Sequence, residues 1–150
     1  MAGAGGHKES KSDIVVSTLI HKSIPATAPA ALHNIPFFLV EAKKPGTDMD
    51  ATYIAAHSQA VDGLHNMLAK QGDHGQTIFG MVAQGTSCLF LTAQYYNGNR
   101  YVTPMKIPNA NGVMDEVGMN DIRKAADRND VHQALLAIRQ LAGYQVMHVW

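Results

Sequence analysis

Asp13, Glu41 and Lys43 are the side chains of this 150-residue chain whose types and spacing could do chemistry together. Glu41-Ala42-Lys43 ends a nearly continuous apolar run that starts at Phe37, and Asp13 opens another, Ile14-Val15-Val16. Side chains alternate faces along a strand, so Glu41 and Lys43 project to one side while Ala42 points into the opposite packing layer. If the two runs pair as antiparallel strands, the start of one lies beside the end of the other, and Asp13 comes within reach of Glu41. Two converging carboxylates make a hard oxygen site suited to Mg²⁺ or Mn²⁺, an ion that keeps waters for a substrate phosphate. Such an ion lowers the pKa of its bound water and stabilises developing charge, and the Lys43 ammonium would hold the attacking water or offset that charge. Lys44 adds a second cation, expected to meet the substrate.

The elements that must position these groups follow from pattern and punctuation. Residues 1–12 are small, polar and Gly-rich and read as a flexible lead; residues 13–150 read as a single domain. The β-branched stretch after Asp13 predicts a strand. Pro25, Pro29 and Pro36 predict a loop from Ser23 to Pro36. The apolar run up to Glu41 predicts a strand buried on both faces, in the middle of a sheet. Asp48 or Asp50 can cap a helix to about Gln71, with Ile54, Val61, Leu64 and Leu68 at helical spacing and Gly72 as its end. Thr77–Ala83 and Ser87–Tyr96 flank Gln84-Gly85-Thr86 as a hairpin, and Asn97-Gly98-Asn99 turns into a further strand. From Asn120 two helices are expected, stopped at Gly143, with Tyr144–Trp150 as a last edge strand. The order gives an α/β (α+β) fold, a mixed β-sheet flanked by α-helices.

The Asp13 strand and the Leu39-Val40-Glu41-Ala42-Lys43 segment together resemble the PD-(D/E)XK, or restriction-endonuclease-like, nuclease superfamily. The helix carrying Ser58-Gln59-Ala60, followed by Ile78–Val82 and a Gly turn before another strand, is similar to the order that follows the Glu-x-Lys strand in many of its members. The resemblance covers about residues 12–96. It implies a restriction-endonuclease-like sheet that hydrolyses phosphodiester bonds of DNA or RNA with Mg²⁺ or Mn²⁺, an endonuclease or exonuclease. On this reading Asp13, Glu41 and the main-chain carbonyl of Ala42 are metal ligands, Asp13, Glu41 and Lys43 the catalytic residues, and Gln59 lies near the substrate. The family core usually begins with a helix before the Asp strand, and here only twelve residues precede Asp13. The alternative is therefore a catalytically inactive nuclease-like fold that acts as a binding or effector module, with a homodimer among the expected forms.

Composition bears on partners more than on fold. Twelve basic side chains balance twelve acidic ones, which removes the simplest mark of a nucleic-acid binder, a strongly basic domain. The sum conceals a division: residues 1–44 carry +2 and residues 45–150 carry −2. A divalent ion on Asp13 and Glu41 would make the first part more positive, so weak to moderate, metal-dependent binding of nucleic acid is expected. One cysteine rules out an intramolecular disulfide framework, and no apolar run approaches a bilayer span, so no membrane partner is expected. The first residues lack the apolar core of a signal peptide, and the expected location is cytoplasmic or nuclear. Eight histidines show no His-x-x-His or His-Glu-x-x-His spacing, so a zinc site is not expected. Cys88, inside an apolar strand, reads as core rather than nucleophile. Tyr95, Tyr96 and Tyr101 read as cross-strand packing, and the Arg123, Lys124 and Arg128 segment as a solvated face of mixed charge.

Overall fold

The computed structural model describes residues 14–44 and 49–150. Its order is β1 (Ile14–Lys22), β2 (Ala31–Lys43), α1 (Met49–Gln71), β3 (Thr77–Gln84), β4 (Ser87–Tyr96), β5 (Asn99–Pro104), β6 (Lys106–Pro108), β7 (Met114–Glu116), β8 (Asn120–Asp121) and α2 (Ala125–His148). The main sheet runs β1-β2-β3-β4-β5, with β8 added to β4, and β6-β7 forms a separate hairpin. Among these pairs β2-β3 alone is parallel, joined through α1; β1-β2, β3-β4 and β4-β5 are antiparallel. The chain is thus a mixed sheet with two helices, an α+β arrangement. Among the described residues no helix is long and apolar enough to cross a membrane.

The sheet is covered on both sides, which explains the unbroken apolar run in β2. On one side Ala56, Ala60, Leu64 and Leu68 of α1, each spaced by four, pack on Leu39, Ile78, Val82, Leu91 and Ala93. On the other, Ala134 and Ile138 of α2 pack with Phe38, Val40, Phe79 and Phe90. Gly80 fixes how close α1 can come. It sits opposite both Leu39 and Leu91, and a Cβ there would lie 2.8 Å from Leu64 Cδ1. Leu64 therefore seats in a gap that only glycine leaves open.

Several local features differ from the sequence expectations. Pro36 lies inside β2, so the loop before that strand ends at Ala30. The proline is accommodated at a bulge, where Val16 faces Phe38 while Ser17 faces Pro36 and Phe37 is the extra residue. Ile54 is 66% exposed rather than core, because Ala56 and not Ile54 begins the buried row of α1. Asp50 lies within α1 rather than at its cap, and Asp48 falls outside the described residues. Gly143 does not stop the last helix, and the tail is not a strand: one helix runs from Ala125 to His148, with no break into two. Buried Gln145 holds this end in helical form. Its Oε1 accepts from Thr77 N–H, its Nε2 donates to Thr77 C=O at 2.9 Å, and Trp150 closes against the His74 ring with centroids 4.7 Å apart.

The start of α2 is held by charge. Arg123 donates from Nε and Nη2 to both oxygens of Asp121, the Arg123 N–H donates to Oδ1 at 3.0 Å, and Asp127 accepts from Asp121 N–H at 2.8 Å. The bonds from Arg123 hold the Asp121 carboxyl well below the usual carboxylate range. A depressed pKa means that the stabilisation is complete above the unfolded value of about 4 and is lost as pH falls toward the folded one. Wild type should therefore melt above Asp121→Asn at pH 7, and thermal scans at pH 2 should show a smaller gap. For Gln145→Leu, which leaves both Thr77 backbone groups without their side-chain partner, urea titration should show a loss of roughly 2 kcal/mol.

Candidate active site at the ends of β2 and β3

Glu41 is the penultimate outward step of an apolar strand, yet it is 2% exposed. Alternation puts it on the α1 side with Leu39, and the parallel register sets it beside Val82. α1 follows β2 and packs back on that face. Tyr53, in the first turns of α1, packs on the cluster formed by Leu39 and Val82, and burial pushes its phenol pKa up. Lys43, two residues on and one-third exposed, reaches back so that Nζ lies 3.5 Å from Glu41 Oε1. Glu41 is thus a buried carboxylate whose neighbouring ammonium is one-third exposed.

The expected site residues divide into those brought together and those not. Glu41 and Lys43 share one face and are in contact. Ala42 faces the other way as expected, but it is exposed there rather than packed. Lys44 is exposed at the end of the strand, and Gln59 is half-buried on α1, one turn from buried Ala56 and Gly63. Asp13 lies outside the described residues. Its chain neighbour Ile14 pairs with Val40, the neighbour of Glu41. Among the described residues no group of three or more His, Cys, Asp or Glu side chains could hold a metal ion.

Gln84 was not singled out from the sequence. It is buried, pairs in register with Lys43 on the parallel strand, and so shares the face of Glu41 and Lys43. The signal that could have found it is its position just before the Gly85 turn, at the same sheet end as Lys43 once β2 and β3 are recognised as parallel. Beside the site, Tyr53, His57, Ser58 and Val61 line a shallow depression of about 410 Å³, with the Tyr53 and His57 rings 6.1 Å apart. Cys88 is buried on the opposite side of the sheet; burial pushes its thiol pKa up and Asp127 adds to that, which fits an inert core residue.

Compared with known proteins, the chain matches no protein-family model, no curated protein and no solved structure.

A carboxylate held at such low exposure costs stability relative to a neutral group of the same shape. Glu41→Gln should accordingly unfold at the same or a higher urea concentration than wild type. Lys43→Met, which removes the cation and keeps the carboxylate, should lose roughly 1–3 kcal/mol, a fully buried pair's value discounted for the exposure of Lys43. Equilibrium unfolding of the two variants side by side checks the sign of the difference.

Proposed function

We propose that this chain is a metal-dependent nuclease with a restriction-endonuclease-like core, in which Asp13 and Glu41 carry the metal and Lys43 serves the hydrolysis of a phosphodiester bond. The observation that carries the reading is the buried Glu41 with Lys43 3.5 Å away on the same sheet face. The register supports it, since Asp13 and Glu41 are the immediate chain neighbours of the antiparallel pair Ile14 and Val40. So does the order of a β1-β2 hairpin, a helix and a parallel return strand followed by the Gly85 turn, which agrees with what the nuclease resemblance implies.

The donor chemistry fits a hard cation: two carboxylates and the Ala42 carbonyl are all oxygen ligands. A bound Mg²⁺ or Mn²⁺ supplies Lewis acidity and a more acidic water. Within the chain, Glu41 is fixed by its enclosure between α1 and the sheet, so its carboxylate is aimed before a ligand arrives. Lys43, anchored at one end of a rigid strand, donates hydrogen bonds to the attacking water or to a phosphate oxygen and offsets negative charge as it grows. Gln59 and Lys44 lie toward the substrate on this reading, Lys44 contributing charge to a surface whose net balance is neutral. Neutrality makes nucleic-acid binding weak to moderate and dependent on the metal.

Thermal shift and cleavage assays together test the proposal. Mn²⁺ at about 100 times its dissociation constant should stabilise wild type by about 2.7 kcal/mol, a rise of several degrees. Asp13→Ala and Glu41→Ala should abolish the rise; Lys43→Ala should keep it and lose cleavage of DNA and RNA substrates. Equal melting of all proteins with and without Mn²⁺ would refute the metal site. Metal binding by a wild type that cuts neither single- nor double-stranded DNA or RNA would favour the inactive binding module.

A further inference from the structure

The two edges of the main sheet are treated differently. β5 ends in Pro104, carries Arg100 tied to the His65 carbonyl at 2.9 Å, and packs against α1. Charge, proline and cover of this kind are the ordinary protection of an edge strand. β1 has neither charge nor proline along its first seven residues. It is Ile-Val-Val-Ser-Thr-Leu-Ile before its only polar-charged end, His21-Lys22, and Ile14, Val15, Val16 and Leu19 are exposed at 54%, 47%, 39% and 68%. Alternation divides these residues between the two sheet faces, so the apolar surface wraps around the edge. The bulge does not interrupt it, because the extra residue belongs to β2 and β1 is continuous. Residues 1–13 include a single large apolar side chain, Met1.

We propose that β1 is a self-association edge, on which a second copy of this chain pairs through its own β1 in antiparallel register about a two-fold axis at Thr18. The occupant is argued from the strand's own sequence. With Thr18 facing its equivalent, Val16 faces Ile20, Ser17 faces Leu19, Val15 faces His21 and Ile14 faces Lys22. Thr18 meets Thr18 on the axis, the two Val16–Ile20 pairs set apolar side chains against each other on either side of it, and the two Lys22 side chains fall at opposite ends. Parallel pairing would instead set Lys22 against Lys22 and His21 against His21. A net charge of zero removes overall repulsion between copies. Nine paired residues span about 30 Å and bury roughly 1,000 Å² in total, near the lower limit for a specific interface, so the dimer is weak and concentration-dependent. The two-fold is normal to the sheet, which leaves both Glu41–Lys43 pairs on one side of a continuous sheet, roughly 40 Å apart. The inference is independent of the proposed nuclease activity.

Sedimentation velocity on the full chain from about 5 to about 500 µM tests it. The expected result is a mass that rises with concentration from 16.2 kDa toward twice that value. Leu19→Lys should remain monomeric throughout with an unchanged circular dichroism spectrum, as befits a substitution at a position 68% exposed. Mixing Leu19→Lys with Ser17→Glu should restore the doubled mass, since those positions face each other only in the proposed register. Leu32→Lys, equally exposed but one strand in from the edge, should dimerise as wild type does. A single 16.2 kDa species at every concentration, association indifferent to Leu19→Lys, or association lost in Leu32→Lys would each overturn the proposal.

Discussion

β2 buries Leu39 on one face and Phe38 and Val40 on the other, and a strand apolar on both sides has to be covered on both. Most of the architecture follows from that demand. α1 answers it on one side and α2 on the other, and the strands β3 and β4 repeat the same division, with Val82 and Leu91 toward α1 and Phe79 and Phe90 toward α2. The seat of Leu64 over Gly80 then settles the height of α1 above the sheet. Because α1 follows β2 and returns over it, its Tyr53 packs on the cluster of Leu39 and Val82, on the sheet face that also carries Glu41.

The position of Glu41 is therefore a by-product of covering Leu39 and Val82, and it carries a desolvation cost. A glutamine or leucine would satisfy the packing at lower desolvation cost, whereas Glu41 keeps a buried carboxylate with the Lys43 ammonium beside it. Elsewhere in the sheet Cys88, comparably buried, is a core thiol packed between β4 and α2.

Much of this was readable in the sequence because it depends on short-range periodicity. The alternation that puts Glu41 and Lys43 on one face, the helix ending near Gln71, and the hairpin turns at Gly85 and at Asn97-Gly98, where both residues have positive φ, are all local. What was not legible depends on partners distant in the chain. Gly143 looks like a stop until Gln145 finds the Thr77 backbone, 68 residues away, and the helix continues. Pro36 looks like a loop residue until the bulge opposite Val16 and Ser17 accommodates it. Ile54 fits the helical period of α1, but the row that meets the sheet is set by where Leu64 docks, and Ile54 falls outside it. Gln84 became relevant only with the parallel pairing of β2 and β3, a register no local signal specifies.

Phe37 has an importance out of proportion to its size. Strand alternation is a two-state parity, and the one extra residue at Phe37 reverses it between the hairpin tip and the body of the sheet. Above the bulge, Phe37 and Phe38 in succession both serve the α2 side, a phase slip that ordinary alternation forbids. Below it, Leu39 and Glu41 recover the α1 side in step with β3. The bulge acts as a phase shifter: it lets the long hairpin and the enclosed carboxylate each keep its own alternation, so either can change in length by whole pairs of residues without turning the other inside out.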